Sequence, residues 1–130
     1  MPPFAPLMDT RLILVVDADP AVRQSLIDVL SLEGHEVDGA GEAESALLIL
    51  DQRRYDLVIA DLRTPGLDGP QLLTALAERF GETLPAVVFL TTHTFDPHYG
   101  GFIADLRTPL LVKPVKPGRL LELVGKVLAR

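Results

Sequence analysis

The sequence predicts an α/β domain in which five parallel strands alternate with helices that cover both faces of the sheet. Short, uninterrupted apolar runs recur along the chain, a pattern typical of strands buried on both faces. Segments with apolar residues at helical spacing separate these runs. The connections are short enough for a doubly wound parallel sheet, and internal repeats and low-complexity tracts are absent from the sequence.

Composition limits the class of protein. At 130 residues the chain has the size of one domain, and its 48% apolar content argues against disorder. The absence of Cys excludes disulfides and thiolate metal sites and allows a reducing cytoplasm. A net charge of -6 argues against binding to a nucleic acid backbone, so we expect proteins or cations as partners. No apolar run approaches the roughly 20 residues of a membrane span, so we expect a cytoplasmic domain without membrane contact.

The chain is predicted to consist of a short leader and one domain. Residues 1–10 contain three prolines, with no basic region ahead of the apolar residues, which is unlike a signal peptide. We interpret 1–10 as a leader or linker and 11–130 as the domain.

The elements can be placed in order along the domain. A β-branched apolar run over 12–16 predicts the first strand, which Asp17 follows. Asp19 and Pro20 are typical of a helix start, as N-cap and first helical residue, and Gly34 is typical of its end. Further strands are predicted over 35–40, 57–60, 85–90 and 110–112, and further helices over 42–53, 69–80 and 117–129.

The segment 93–108 has the weakest pattern. Pro97, Gly100 and Gly101 are each unfavourable inside a helix, so any helix there is confined to about 99–105. We interpret three potentially reactive side chains in the segment as loop surface residues rather than catalytic groups: His93, His98 and Tyr99.

Polar groups suited to phosphoryl chemistry follow four of the predicted strands. They are Asp17, Asp61, Thr91 and Lys113. Because ligands bind at the carboxyl edge of open α/β sheets, we expect these side chains to converge there. Two carboxylates and a loop carbonyl are suited to Mg²⁺, a hydroxyl and an ammonium can hold phosphoryl oxygens, and an Asp carboxylate can be a nucleophile. The alternative is that Asp61 only caps or turns the loop that follows it.

This arrangement resembles the receiver domains of response regulators in two-component signalling, from about Arg11 to the C-terminus. The resemblance is carried by the order and spacing of Leu14–Asp17, Asp61 with Pro65–Gly69, Thr91, and Lys113–Pro114. It implies a flavodoxin-like (βα)5 fold with strand order 2-1-3-4-5. It also implies a cis peptide bond between Lys113 and Pro114.

The resemblance implies a role for each residue. Asp61 would accept a phosphoryl group from a histidine kinase or a histidine phosphotransfer protein. Asp17, Asp61 and the backbone carbonyl of Arg63 would hold Mg²⁺, while Thr91 and Lys113 would bind phosphoryl oxygens. Phosphorylation would then change a face that binds a downstream protein or a tethered domain, so the chain would be a signalling switch and not an enzyme in the usual sense. The last helix offers a face for a homodimer.

Two positions depart from the family pattern. Ala18 replaces the second of two adjacent acidic residues, which is a direct metal ligand in the family, so we expect weaker Mg²⁺ binding. Asp19 could compensate, although its role as N-cap is the favoured interpretation. Leu110 stands where the family usually carries a Tyr or Phe that changes rotamer with the Thr. We interpret the Arg63 side chain, which lies near the site, as pointing to solvent.

Two functional hypotheses follow, both of them for a receiver fold. The first is a phosphoacceptor receiver domain modified on Asp61. The second is a pseudo-receiver, an interaction domain that signals without stable phosphorylation, which Ala18 and Leu110 keep open. A flavodoxin-like cofactor binder is disfavoured because no Gly-rich phosphate loop follows the first strand. A stand-alone regulator and a domain of a larger protein, such as a hybrid kinase, are both open.

Overall fold

A computed structural model of the chain describes residues 10–92, 99, 101–102 and 109–129. The strands are β1 (Leu12–Val16), β2 (Glu36–Ala40), β3 (Leu57–Asp61), β4 (Ala86–Thr91) and β5 (Leu110–Val112). The helices are α1 (Pro20–Leu32), α2 (Ala43–Gln52), α3 (Gly69–Phe80) and α4 (Pro117–Leu128), and a 3-10 turn covers Gly81–Thr83.

The strands form one parallel sheet in the order β2-β1-β3-β4-β5, which confirms the predicted fold. The half-polar β2 lies at one edge, as its composition suggests, and the apolar β1 and β3 lie in the middle. Val16 pairs with Ala60, and Asp61 pairs with Leu90. The carboxyl ends of the central strands are therefore adjacent.

Alternate residues of the central strands pack on opposite faces of the sheet. Ile13 and Ile59 belong to the core cluster that includes apolar residues of α1 and α4. Leu14 and Val58 belong to the second cluster, which includes apolar residues of α2 and α3. All four of these strand residues have 0% exposure. The uninterrupted apolar runs in the sequence thus reflect burial on both sides, as expected for a parallel sheet.

Two of the loops at the carboxyl edge of the sheet lead into helices, and a capping side chain marks the start of each helix. Asp19 accepts a hydrogen bond at 2.9 Å from the backbone N–H of Ala21, with Pro20 at the first helical position. This geometry confirms the predicted N-cap. Asp68 and Gln71 form a capping box at the start of α3, each side chain bonded to the other's backbone N–H at 3.0 Å.

The predicted boundaries hold to within one residue at most element ends. The helix α3 has the predicted bounds, and β4 extends one residue further than predicted, so that Thr91 is its last residue. The predicted helix over 99–105 lies largely outside the described residues. None of the helices in the described ranges combines the length and apolarity needed to cross a membrane.

Candidate functional site

Three of the four strand-end side chains meet at the carboxyl edge of the sheet. The ammonium Nζ of Lys113 lies 2.6 Å from Asp17 Oδ2. The same ammonium donates a hydrogen bond to Asp61 Oδ2. The side chains of Asp17, Lys113 and Asp61 are 3%, 15% and 19% exposed. The site is therefore a buried cation between two carboxylates, of which Asp61 is the more accessible.

Two opposing effects act on the pKa of Lys113. Burial disfavours the charged form and lowers the pKa, whereas the adjacent carboxylates of Asp17 and Asp61 raise it. The carboxylates outweigh burial, and the pKa of Lys113 is raised above its usual value. The ammonium form is thus maintained across the physiological pH range.

Asp17 is held in place by its surroundings, yet one of its oxygens is incompletely paired. Its Oδ1 accepts a hydrogen bond at 2.9 Å from the backbone N–H of Asp19. Its Oδ2 is buried and makes the ion pair with Lys113, but it accepts no hydrogen bond. The guanidinium of Arg23 on α1 donates to the backbone carbonyl of Asp17 at 2.6 Å. Arg23 could not be predicted as a site residue from the sequence, because only the fold brings that position of α1 over the end of β1.

The loop after Asp61 is fastened to the same residue by three hydrogen bonds. The backbone N–H of Arg63 donates to Asp61 Oδ1 at 2.8 Å. Thr64, which is 4% exposed, donates from Oγ1 to the carbonyl of Asp61 at 2.6 Å and from its backbone N–H at 3.2 Å. Thr64 is not among the predicted site residues, although a hydroxyl three residues after a strand-end Asp is a recognisable turn pattern.

The part of this loop further from Asp61 is held by the backbone conformation of Gly66 and by contacts with α2. Gly66 has φ +98°, in the region that disfavours residues with a Cβ, and Ala43 lies close enough to contact an added Cβ. The carbonyl of Pro65 accepts a hydrogen bond at 2.9 Å from the backbone N–H of Ala43. The loop is thus fixed at both ends, which orients the Asp61 carboxylate.

Thr91 and Lys113 occupy neighbouring strand ends. Thr91 is 6% exposed, and its carbonyl accepts the backbone N–H of Lys113 at 2.7 Å. The peptide bond between Lys113 and Pro114 is cis, as expected. Leu110 pairs with Phe89 in the register of β4 and β5 and is half-buried.

Tyr99 differs from its predicted position on the loop surface. It is only 9% exposed, so that interpretation is wrong for Tyr99, whereas His93 and His98 lie outside the described residues. The guanidinium carbon of Arg63 lies 5.5 Å from the centre of the Tyr99 ring, so Arg63 stacks on an aromatic ring instead of simply pointing to solvent. The Tyr99 hydroxyl donates to Asp68 Oδ2 at 3.4 Å. Burial and then the charge of Asp68 raise the pKa of Tyr99.

The acidic side chains present fit a magnesium site of low charge. Asp17 Oδ2 and Asp61 Oδ2 converge on one cation, and the former is buried with the Lys113 ammonium as its ion-pair partner. Mg²⁺ in proteins commonly takes one or two carboxylates and completes its shell with water and phosphate oxygens. In the part of the chain that the structure describes, no group of three or more Asp, Glu, His or Cys side chains is placed to hold a metal. Ala18, which directly follows Asp17, is exposed at this edge and offers no carboxylate.

Comparison with known proteins identifies the family. Residues 13–125 match the family model described as response regulator receiver domain. The chain belongs to this family.

The receiver domain is 36% identical over 114 residues to the response regulator protein FleR of Pseudomonas aeruginosa, which is 88% of this chain and 24% of FleR. It is 37% identical over 117 residues to the positive alginate biosynthesis regulatory protein of the same organism, which is 88% of this chain and 46% of that protein. The chain therefore spans less than half the length of these two relatives.

Solved structures agree with this assignment. The chemotaxis response regulator CheY4 of Vibrio cholerae is 28% identical and superposes with a TM-score of 0.79, covering 91% of this chain and 98% of CheY4. The receiver domain of a sensor histidine kinase from Pseudomonas aeruginosa, solved with a magnesium ion in its active site cleft, has a TM-score of 0.82. At 20% identity, over 93% of this chain and 99% of that one, the second likeness shows the fold alone.

Proposed function

We propose that this receiver domain accepts a phosphoryl group on Asp61 and acts as a conformational switch for a protein partner. The observation that supports the proposal is the convergence of Lys113 with Asp17 and Asp61 at the carboxyl edge of the sheet. Asp61 is the more exposed of the two carboxylates, and its loop holds it by the backbone N–H of Arg63. A merely structural cap would not require a buried lysine beside it.

The transfer uses the Asp61 carboxylate as nucleophile. A carboxylate oxygen attacks the phosphorus of a phosphohistidine, an O–P bond forms and the N–P bond breaks. The electron pair of the broken bond stays on the imidazole nitrogen, which takes up a proton. Lys113 places a positive charge against the accepting oxygen, and the Thr91 hydroxyl at the neighbouring strand end would bind a phosphoryl oxygen.

Asp17, Asp61 and the backbone carbonyl of Arg63 would hold Mg²⁺ in this site. When bound, the ion supplies positive charge that offsets the negative charge of the transferring phosphoryl group. The buried Oδ2 of Asp17, whose ion pair is with Lys113, and the convergence of the two carboxylates support this assignment. Because Ala18 provides no ligand, binding should be weaker than with three carboxylates.

The proposed partners follow from the same chemistry. The phosphodonor is a histidine kinase or a histidine phosphotransfer protein. The signal passes to a downstream protein or a tethered domain, and all of these proteins are in the cytoplasm.

A pseudo-receiver is the second candidate. The observation that favours it is Leu110, an aliphatic side chain packed at the position where the family usually has an aromatic switch.

Phosphorylation from a small donor separates these two candidates. We expect incubation with Mg²⁺ and phosphoramidate, which has the N–P bond of phosphohistidine, to add the mass of one phosphoryl group to the chain. Asp61→Asn should abolish the mass gain. Asp28→Asn should retain it, because Asp28 is an exposed residue of α1 bonded to Gln24. A wild-type chain that gains no mass at saturating Mg²⁺, and shows no response to beryllofluoride, would contradict the phosphoacceptor proposal.

A further inference from the structure

Three side chains form a continuous set of contacts beside the Asp61 loop, and we name this set the Tyr99 clasp. It consists of Arg63, Tyr99 and Asp68. The Arg63 guanidinium stacks on the Tyr99 ring at 5.5 Å, and the Tyr99 hydroxyl donates to Asp68 Oδ2 at 3.4 Å. Two members come from the loop between β3 and α3, and the third comes from the segment between β4 and β5. The clasp therefore links two segments that are distant in sequence.

The loop members of the clasp are held firmly. Arg63 follows Asp61 by two residues, and its backbone N–H is bonded to Asp61 Oδ1 at 2.8 Å. Asp68 uses Oδ1 to cap α3 through the N–H of Gln71, which leaves Oδ2 for the Tyr99 hydroxyl. Because these two residues are fixed at the backbone, a change in the clasp has to involve the Arg63 guanidinium or Tyr99.

The Arg63 guanidinium is the part of the clasp that can respond to charge. The residue is exposed, whereas Tyr99 is buried. A phosphoryl group on Asp61 would place several anionic oxygens two residues away from Arg63. Arginine binds such oxygens through strong, charge-assisted hydrogen bonds, which outweigh a stacking contact at a partly exposed site. The phosphoryl group and the Tyr99 ring would thus compete for the same guanidinium.

Tyr99 is also packed in such a way that a change in its position would affect neighbouring core residues. It belongs to the same core cluster as Phe89, and Phe102, three residues further on, packs edge-on against Phe89 at 5.7 Å between ring centres. Phe89 in turn pairs with Leu110, the position that lacks the family's aromatic ring. A change at Tyr99 therefore reaches the β4–β5 side of the domain without needing a ring at Leu110.

We propose that Tyr99 is a positioning residue that keeps the Arg63 guanidinium away from Asp61, and that phosphorylation draws Arg63 from Tyr99 to the phosphoryl group. Loss of the stacking partner then shifts the packing of Tyr99, which carries the signal to the face beside β5. This inference rests on the proposed phosphorylation of Asp61. It predicts that the clasp favours the unphosphorylated state, as one arm of a two-state equilibrium.

The first test is a beryllofluoride titration at saturating Mg²⁺, followed by the amide resonance of Arg63. Tyr99→Leu removes the ring, and we expect the titration midpoint to fall about two- to fivefold, the factor that corresponds to a cation–π contact at a partly exposed site. Tyr99→Phe keeps the ring, and its midpoint should stay within error of wild type. Thermal unfolding of the three proteins separates this effect from stability, because a purely structural role would lower the melting temperature without lowering the midpoint.

The second test observes Tyr99 directly. The chain has only two Tyr and no Trp, so the Tyr99 ring resonances can be assigned by their loss in Tyr99→Phe. We expect beryllofluoride to move them in wild type. In Arg63→Gln they should be displaced already without beryllofluoride and should move little on its addition.

The outcomes distinguish the clasp from the function on which it rests. If the Arg63 amide responds to beryllofluoride while the Tyr99 ring does not, the clasp is overturned and the phosphoacceptor site stands. If Tyr99→Leu and Tyr99→Phe share the wild-type midpoint, the clasp is likewise overturned. If neither amide shift nor mass gain occurs, the phosphoacceptor proposal fails and the clasp fails with it.

Discussion

The two ends of the sheet both carry charged clusters, but the clusters differ in burial and in how their oxygens are paired. At the amino end, the Arg53 guanidinium bonds both carboxylate oxygens of Glu36 at 3.1 Å and lies 3.6 Å from Asp38. The Tyr55 hydroxyl donates to Asp38. The charged side chains there are 41% to 59% exposed. Water can solvate this cluster, and surface ion pairs of this kind contribute little to stability.

At the carboxyl end, the charged side chains are buried, and their burial lowers the stability of the fold. Asp17, Lys113 and Asp61 are at most 19% exposed, and Asp17 Oδ2 accepts no hydrogen bond. Desolvated charges with incomplete pairing lower the stability of the fold. Groups of this kind concentrate at functional sites, where they are retained for their chemistry. Burial and incomplete hydrogen bonding, more than the presence of charges, therefore distinguish the end of the sheet where phosphoryl chemistry is proposed.

The largest expected effect comes from removing the buried cation. Lys113→Met leaves two carboxylates facing each other, and we expect the free energy of unfolding to fall by about 3 kcal/mol, since an uncompensated buried charge costs several kcal/mol. Urea denaturation measures the loss, and added Mg²⁺ should restore part of it. Lys126→Met is the control, because Lys126 pairs with Glu122 on the exposed surface of α4. Equal losses in the two variants would contradict the assigned importance of burial.

The next effect concerns metal affinity. Ala18→Asp supplies the third carboxylate, and we expect the dissociation constant for Mg²⁺ to fall about tenfold, the effect of one added charged ligand. Isothermal titration calorimetry measures this constant. Ala21→Asp adds the same charge to an exposed position in the first turn of α1 and should change it much less. The two variants would have the same affinity if only net charge mattered.

Tyr55→Phe tests the amino end. It removes the hydrogen bond from the Tyr55 hydroxyl to Asp38, and we expect a loss of about 1 kcal/mol in the free energy of unfolding, with phosphorylation unchanged.

The same variant tests a pH dependence of stability. Burial first, and then the bond to Asp38, raises the pKa of Tyr55 in the folded chain. An unfolded Tyr ionises near pH 10, so wild-type stability should decline as pH rises above about 10. Denaturation over about pH 8 to 11 should show a shallower decline in Tyr55→Phe; an equal decline would remove Tyr55 as its source.

The smallest effect is expected for Arg53→Ala. Its ion pairs with Glu36 and Asp38 are exposed, so the variant should lose little stability, and the loss should vanish in about 1 M salt. Urea denaturation at low and high salt measures this difference. A loss that salt does not change would indicate that the Arg53 stem, rather than its charge, is the stabilising part.

Most of the fold could be predicted because its signals are local. The apolar run 12–16, the Asp19–Pro20 helix start and the helix over 69–80 depend on burial and capping within a few residues, and all three are confirmed. The prediction failed for Tyr99, because the exposure of a residue without a periodic sequence pattern around it depends on which other segments pack against it. The division into a leader and a domain stays a prediction.

The sequence by itself determined which side chains stand at the ends of the strands. Asp17, Asp61, Thr91 and Lys113 each follow or end an apolar run, and parallel strands bring such positions to one edge. Only the tertiary structure decided which of their atoms meet. It brought Lys113 between the two carboxylates, and it packed Tyr99 under the Arg63 guanidinium. The physical reason is that periodicity reports burial along one element, whereas contacts between elements depend on register and on side-chain reach across the sheet edge.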